Sequence, residues 1–145
     1  MVEMDKKETY ATYMLPDVLV EEIMTKDVVN VDREDALNDL IEMFKKHSVH
    51  GFPVHYKGKL VGIVTKSDLL KIFQRKRFRD TLVSHVKDIM SANPTSIGPK
   101  SHIVDAVDIL VRQGFRLLPV VEEDKLVGLL SYTDVINQVL KKSSK

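Results

Sequence analysis

The chain contains the same pattern twice, and the second copy begins 66 positions after the first. Residues 20–70 align with residues 86–136 without a gap, and 11 of the 51 aligned pairs are identical. The stretch KLVG, for example, occurs at 59–62 and again at 125–128. A repeat of this length predicts two copies of one folding unit that stack around a shared core and are related by a pseudo-twofold axis.

Size and composition are those of an ordinary globular protein. A chain of 145 residues is long enough for one real core, whereas each half alone would be marginally stable. The formal net charge of +1 gives no general attraction to nucleic acid or to an anionic membrane, and the basic residues within 71–79 are interpreted as a solvated helix end. The chain has no cysteine, no apolar run of about 18 residues and no signal peptide, so we expect a cytoplasmic location.

Each copy is predicted to contain a strand, a helix, two strands and a second helix, which makes the fold class α/β. Apolar residues recur at helical spacing, and β-branched or apolar runs between turn residues indicate the strands. In copy one we predict a helical turn at 19–24, strands at 28–31, 52–56 and 59–64, and helices at 34–46 and 67–73. In copy two we predict strands at 95–97, 118–121 and 125–130, and helices at 101–112 and 133–140. The predicted domains are 18–74 and 82–138, the linker is 74–81, and the tails are 1–17 and 139–145.

Two motifs recur at fixed places in this order of elements. Pro-Val opens the second strand of each copy, at 53–54 and 119–120, and the third strand ends in TKSD at 65–68 or SYTD at 131–134. In both respects the chain resembles a pair of CBS domains, also called a Bateman module, over roughly residues 18–138. The resemblance implies two tandem α/β units packed through small sheets, with adenosine-containing ligands such as AMP, ADP, ATP or S-adenosylmethionine bound in the cleft between them. It also implies a disc-like homodimer and a stand-alone regulatory role.

The TKSD and SYTD motifs each lie where a strand meets a helix, and backbone N–H groups and the helix dipole favour a phosphate there. Two hydroxyls spaced i, i+2 can donate to phosphate oxygens, and an Asp offers two acceptor oxygens to the vicinal hydroxyls of a ribose. The resemblance implies the same roles. The residues expected to bind in this way are Thr65, Ser67, Asp68, Ser131, Thr133 and Asp134. The alternative is that these side chains only cap the two helices.

Two further pairs of residues are expected near the ligand. The resemblance implies a basic residue against phosphate shortly before Pro-Val, and His50 and Arg116 hold that position. Arginine is permanently charged and can fork two donors onto a phosphate, so the second site is expected to suit a phosphate better. Val29 and Thr95, with Val31 and Ile97 in the same predicted short strands, can flank an adenine, and burial in the sheet core is at least an equal alternative.

Two further features are the glycines within the third strands and the histidines of copy one. Gly62 and Gly128 indicate close approach by another backbone or by a ligand. His47, His50 and His55 do not indicate a metal site, because no cysteine or matching acid accompanies them and copy two has no histidine at these positions. We therefore expect no metal and no cofactor other than the adenine nucleotide as ligand.

Three classes of function stay open at this point. We favour a regulatory module that senses an adenosine ligand, because both Asp residues and all four hydroxyls are retained. A partner-binding structural module with vestigial sites is the alternative, and S-adenosylmethionine is an alternative ligand. An enzyme is not expected, because the sequence contains no recognisable set of catalytic residues, P-loop or cluster of metal ligands. The regulated partner is not identified by the sequence.

Overall fold

A computed structural model describes the chain from residue 16 to 74 and from residue 84 to 143. The predicted N-terminal tail up to residue 15, the linker beyond residue 74 and the basic residues 75–79 lie outside the described residues. Across these two described ranges, no helix has the length and apolar character needed to cross a membrane.

Each repeat forms a strand–helix–hairpin–helix series that is preceded by a short helical turn. The first repeat comprises α1 (Val20–Ile23), β1 (Val31–Asp32), α2 (Leu37–Lys46), β2 (Gly51–Tyr56), β3 (Lys59–Thr65) and α3 (Lys66–Gln74). The second comprises a 3-10 turn (Val86–Asp88), β4 (Ser91–Ala92), α4 (Ile103–Gln113), β5 (Leu117–Glu122), β6 (Lys125–Ser131) and α5 (Tyr132–Ser143). The predicted helices and hairpins are therefore present, and their ends differ from prediction by at most three residues.

The two hairpins close in the same way although their turn residues differ. Lys57 and Gly58 have φ of 50° and 79°, and Glu123 and Asp124 have φ of 50° and 65°. Two consecutive positive φ angles are typical of a type I′ turn, whose twist matches that of the flanking strands. The predicted turns are thus present, and the second is made without glycine.

The short strands differ from prediction. Strand β1 begins only at Val31 and pairs in parallel with β2, and the strand predicted at 95–97 is reduced to one parallel bridge between Ile97 and Val120. Pro94 and Pro99 flank this bridge, and proline cannot donate to a longer ladder. Strand β4, which was not predicted, pairs antiparallel with β3. Its residues, Ser and Ala, have weak strand propensity, so pairing with β3 decides their conformation.

The described chain divides into two compact units that do not coincide with the sequence repeats. One unit is residues 29–95, and the other combines residues up to 28 with those from 96 onward. The first has a core that includes Phe52, Val54 and Val86, and the second has a core that includes Leu118 and Val20. Each repeat therefore sends its first residues into the unit built mainly from the other repeat. The domain limits 18–74 and 82–138 remain a prediction for the repeats as sequence units.

These first residues, 18–25 and 84–91, are called the leading segments below. Both contain a valine, Val20 or Val86, whose exposed fraction is 0%. Equivalent backbone hydrogen bonds hold them in place. In the first segment, the N–H groups of Val20 and Glu21 donate to the carbonyls of Ser101 and Pro99, at 2.8 and 3.0 Å respectively. In the second, the N–H groups of Val86 and Lys87 donate to the carbonyls of Asp35 and Arg33, at 2.9 Å each. The two segments thus dock with the same register on equivalent surfaces.

Close approach at the two strand glycines is made by these segments. A Cβ on Gly62 would lie 2.7 Å from the Met90 sulfur and 2.8 Å from the Ser91 carbonyl oxygen. The three atoms nearest to a Cβ on Gly128 would all belong to the Met24 side chain, with its Cγ at 2.9 Å. The expected close approach is therefore present, and the approaching groups are a methionine side chain at both glycines and a backbone oxygen at one.

Alanine at the two glycines is predicted to have unequal effects. Gly62→Ala should lower the free energy of unfolding by about 2–3 kcal/mol, because a backbone oxygen cannot move aside easily, whereas Gly128→Ala should cost about 1 kcal/mol, because Met24 can change rotamer. Urea unfolding measures both. Met24→Ala should rescue most of the Gly128→Ala loss, and Met90→Ala should rescue little of the Gly62→Ala loss. Equal costs and equal rescue would contradict this assignment.

The turn that begins the second leading segment is predicted to depend on pH. The Asp88 carboxylate accepts the N–H groups of Ser84 and His85 at 3.0 and 2.9 Å, and these bonds, the one from Ser84 first, lower the pKa of Asp88. A lowered folded-state pKa stabilises the fold above the unfolded value of about 3.9 and ceases to do so as the pH falls through the folded value. Asp88→Asn should therefore cost about 0.5–1 kcal/mol at neutral pH and nothing at pH of about 2. Denaturant unfolding across pH checks this, with the exposed Asp27→Asn as the control for loss of one charge; a difference that persists in acid would contradict it.

Candidate functional site

Each hairpin brings the predicted basic residue and the predicted hydroxyl–Asp motif to the same end. Gly51 lies opposite Thr65 in the β2–β3 ladder, and the Lys66 N–H donates to the His50 carbonyl at 3.0 Å. Leu117 lies opposite Ser131 in the β5–β6 ladder, and the Tyr132 N–H donates to the Arg116 carbonyl at 2.9 Å. His50 and Arg116 are therefore held next to the first turn of α3 and of α5, respectively.

The TKSD motif forms a reciprocal cap at the start of α3. The Asp68 Oδ2 accepts the Thr65 backbone N–H at 2.8 Å and the Thr65 hydroxyl at 3.1 Å. In return, the Asp68 N–H donates to the Thr65 Oγ1 at 3.3 Å. This is the capping-box arrangement, in which the first and fourth residues satisfy each other's backbone N–H groups. The alternative interpretation of the motif, that it caps a helix, is thus confirmed for TKSD.

The SYTD motif forms the corresponding cap at the start of α5. The Asp134 Oδ2 accepts the Ser131 N–H, and the Ser131 Oγ accepts the Asp134 N–H, both at 3.0 Å. Only one oxygen of each carboxylate takes part in its cap. Capping and ligand binding are therefore compatible, because the other oxygen, Oδ1, takes no part in the hydrogen bonds of the cap.

The two Asp residues differ in the state of this second oxygen. Lys71 Nζ lies 2.7 Å from the Asp68 Oδ1, and the Asp68 side chain is 7% exposed. The position equivalent to Lys71 is Asn137, and within residues 16–74 and 84–143 no donor contacts the Asp134 Oδ1. Asp134 thus offers a free acceptor, whereas Asp68 offers one that a lysine already neutralises. Sequence reasoning placed Lys71 in the basic cluster of a solvated helix end and missed this ion pair, although the i, i+3 spacing from Asp68 indicates it.

The remaining predicted polar residues are exposed. Ser67, Thr133, His50 and Arg116 all have exposed side chains. Among the described residues, no partner takes up the hydroxyl of Ser67 or Thr133, so both hydroxyls can donate to a ligand. The structure therefore assigns the first hydroxyl of each motif to the cap and leaves the second one available.

Of the residues expected against an adenine, Val29 and Thr95 are not in strands, whereas Val31 lies in β1 and Ile97 forms the bridge to Val120. Val29 is 39% exposed and precedes β1, and Thr95 is half-buried and precedes the Ile97 bridge. Their neighbours Val31 and Ile97 are the buried members of the two cores. Val29 and Thr95 lie instead at the two places where the chain passes from one compact unit to the other. Their role toward a ligand stays a prediction.

The three histidines of the first repeat have separate surroundings. His47 packs edge-on against Phe52 with ring centroids 6.0 Å apart, His55 Nδ1 lies 3.7 Å from an Asp32 oxygen, and His50 is on the exposed loop before β2. Across the described parts of the chain, no group of three or more His, Cys, Asp or Glu side chains is placed to hold a metal ion.

The first and second hydroxyls of a motif are predicted to behave differently on substitution. Thr65→Ala removes the cap of α3 and should lower the free energy of unfolding by about 1 kcal/mol, whereas Ser67→Ala, two residues on, should change it by less than about 0.5 kcal/mol. Ser131→Ala and Thr133→Ala form the matched pair in the other unit. Thermal and urea unfolding of the four variants measure this. A larger loss from Ser67→Ala than from Thr65→Ala would overturn the assignment.

Comparison with known proteins gives relatives that share these repeats. An uncharacterized protein of Methanocaldococcus jannaschii is 35% identical over 128 residues, which are 88% of this chain and 46% of that protein. An inosine-5'-monophosphate dehydrogenase of Korarchaeum cryptofilum is 34% identical over 116 residues, or 79% of this chain and 23% of the enzyme. The chain thus spans less than half the length of these two relatives. The CBS domain-containing protein YhcV of Bacillus subtilis is 29% identical over 127 residues, with 86% and 89% of the two chains covered.

Solved structures match most of the chain. CBSX2 in complex with AMP superimposes with a TM-score of 0.79 at 29% identity, covering 86% of this chain and 98% of that one. The CBS domain pair of protein MJ0100, solved with 5'-methylthioadenosine and S-adenosylmethionine, has a TM-score of 0.77 at 21% identity, with 90% and 100% covered, and supports the fold alone. The family model of the CBS domain matches residues 20–75 and again 86–141. The predicted resemblance is thereby confirmed, and the chain belongs to the CBS domain family, with two copies of the domain.

Proposed function

We propose that the chain is a regulatory module that binds an adenosine-containing ligand through its hydroxyl–Asp motifs, with the SYTD motif as the stronger site. The observation that carries this proposal is the free Oδ1 of Asp134 beside the exposed Thr133 hydroxyl, at the start of α5. A ribose presents two adjacent hydroxyl donors, and a carboxylate oxygen in this position can accept from them. CBSX2, which is 29% identical to this chain, supports the ligand class, since it was solved with AMP.

Within this class, AMP, ADP or ATP is favoured over S-adenosylmethionine. Arg116 is exposed and its carbonyl is fixed to the first N–H of α5, so its guanidinium can reach an anion near that helix start. The sulfonium of S-adenosylmethionine is a cation that an arginine repels, and the methionine carboxylate carries less negative charge than a phosphate, so this ligand gains less from an arginine there. His50, at the matching place in the other unit, lacks the forked donors of a guanidinium, which favours a weaker phosphate site.

A regulatory role is proposed in preference to an enzymatic one. The dehydrogenase of Korarchaeum cryptofilum is matched over only 23% of its length, so its activity does not transfer through this match. The described residues present caps, exposed hydroxyls and ion pairs, which suit binding. A cytoplasmic location belongs to this proposal, on the ground that the chain has no cysteine to oxidise.

Association of two chains is also proposed. Leu70 and Phe73 on α3 are 68% and 71% exposed, and Val111 on α4 is 71% exposed. Apolar side chains exposed on helices are often covered in a homodimer. Light scattering should give about twice the 16.5 kDa chain mass, and Phe73→Glu should shift it toward the monomer. A monomer mass at a concentration of about 100 μM would contradict this part of the proposal.

Binding at the SYTD motif is predicted to weaken in Asp134→Ala and to lose its phosphate preference in Arg116→Ala. Asp134→Ala should weaken both AMP and adenosine by about tenfold or more, because each charge-assisted hydrogen bond contributes about 1.5–3 kcal/mol. Arg116→Ala should weaken AMP by about tenfold and leave adenosine nearly unchanged. Calorimetry of both ligands measures this, and Arg112→Ala is the matched control, since Arg112 pairs with Asp108 at 2.7 Å on another helix.

The outcomes of this titration separate the alternatives. Unchanged AMP affinity in Asp134→Ala would overturn the ribose assignment. Equal losses of AMP and adenosine in Arg116→Ala would mean that the arginine supports the fold or the ribose. Absence of binding by AMP, ATP and S-adenosylmethionine to the natural chain would favour the partner-binding module with vestigial sites.

A further inference from the structure

The two leading segments carry opposite charges at the same position, and so do the surfaces on which they dock. In one unit, Lys100 Nζ of the surface lies 2.8 Å from the carboxylate of Glu21 in the segment. In the other, Lys87 Nζ of the segment lies 3.1 and 3.2 Å from the carboxylate oxygens of Glu34 in the surface. Positions 21 and 87 are equivalent in the repeat, as are 34 and 100. Each ion pair is thus the charge reversal of the other.

Each ion pair shifts the pKa of one of its two members. The hydrogen bond from Lys87 is the largest cause that lowers the pKa of Glu34, and the hydrogen bond with Glu21 is the largest cause that raises the pKa of Lys100. All four side chains remain partly exposed, from 33% for Glu21 to 73% for Lys100. They are therefore surface pairs whose attraction is screened by salt.

Most of the other docking contacts are shared by the two segments, although Val18 packs against the core of its unit and the equivalent Ser84 is exposed. The buried valine, the following isoleucine and the methionine against the strand glycine are identical in the two segments, at 20, 23 and 24 and at 86, 89 and 90. The backbone hydrogen bonds are also equivalent. Apolar packing and backbone pairing would therefore let either segment dock on either surface.

Chain length also permits each segment to dock on its own repeat. In that arrangement Thr25 would take the place of Ser91 beside β3, and the chain would still have to reach β1 at the opposite edge of the four-stranded sheet. Three strand spacings are about 14 Å, and the six residues from Thr25 to Val31 span about 20 Å when extended. Self-docking is therefore not prevented by the connection.

Self-docking would bring like charges together at both surfaces. Glu21 would face Glu34, and Lys87 would face Lys100. We propose that this reversed pair of charges directs each leading segment to the surface of the other repeat and disfavours its own. Such specificity combines an attraction in the chosen arrangement with a repulsion in the rejected one.

The expected bias is moderate because neighbouring charges offset part of it. Arg33 Nε lies 3.2 Å from the Glu34 carboxylate, and Glu122 acts on Lys100, so each surface also holds a charge of the opposite sign. Two surface attractions exchanged for two surface repulsions should change the ratio of the two arrangements by about tenfold at low salt. The bias should fall at an ionic strength of about 1 M, where the screening length is about 3 Å.

Engineered disulfides can report which surface a segment occupies, because the chain has no cysteine of its own. Thr25 and Leu129 form a bridge with N–H groups donating in both directions at 2.9 Å, so Thr25→Cys with Leu129→Cys traps the observed arrangement. Ile63 is the residue equivalent to Leu129 and pairs with Ser91. Thr25→Cys with Ile63→Cys therefore traps self-docking. Peptide mapping after refolding and oxidation identifies each crosslink within one chain.

Both cysteine pairs would be placed in the natural background and in Glu21→Lys with Lys100→Glu. The swapped background keeps an ion pair of opposite charges at both docking surfaces in the observed arrangement. In the self-docked arrangement it also places opposite charges together at both surfaces. It therefore tests whether the charges select one arrangement, without weakening the observed one. Asp108→Arg with Arg112→Asp is the control, because it swaps a 2.7 Å pair within α4. The self-docked crosslink should rise about tenfold in the swapped background at low salt and stay low in the control and in the natural chain.

A self-docked yield that is equal in the swapped and natural backgrounds at low salt would overturn the proposal. The equivalent swap, Glu34→Lys with Lys87→Glu, tests the other pair independently, with Ser91→Cys joined to Ile63→Cys or to Leu129→Cys. This second swap also serves if the first variant fails to refold. If neither swap raises self-docking, side-chain packing or connectivity sets the arrangement and the charges have no directing role.

Discussion

Burial of one valine at the start of each repeat is the contact on which the rest of the structure depends. Val20 and Val86 are completely buried, and each lies in the core formed mainly by the other repeat. Complete burial of such a side chain contributes about 1.5–3 kcal/mol, and the backbone hydrogen bonds of the leading segments fix its position. Neither repeat therefore has a complete core without residues from the other, which explains why small repeats of this size occur together in one chain.

The same architecture places the candidate binding groups. Each hairpin ends at a helix start, and the hydroxyl–Asp motif at this junction must satisfy the first N–H groups of the helix. The motif does so with its first hydroxyl and one carboxylate oxygen, which leaves the second hydroxyl and the other oxygen for a ligand. Structural and binding demands are thus divided among different atoms of one motif. The salt bridge from Lys71 to Asp68 then makes the two copies unequal.

Much of this was predictable from sequence, for identifiable reasons. The hairpins follow from β-branched runs around two-residue turns, and the helices from apolar spacing, so both were predicted closely. The two-residue strands were not, since Ser91 and Ala92 pair only because Gly62 and Ile63 lie beside them. The exchange of leading segments also lies beyond propensity, because it is a long-range choice between two equivalent surfaces. The sequence indicates this exchange only through the opposite charges at positions 21 and 87. These charges can be interpreted only when their partners, Lys100 and Glu34, are known.

The claim that a ligand binds where strand meets helix is tested most directly by NMR titration of the full chain with AMP. The account predicts saturable shifts for the amides of residues 131–134 and of Arg116, with the equivalent amides at 65–68 and His50 shifting at higher AMP concentration. A nonspecific effect of AMP would instead give small chemical-shift changes that are spread over both cores. These changes would not share one saturation curve. Saturable binding of AMP that leaves the amides of 131–134 and 65–68 unmoved would contradict the account.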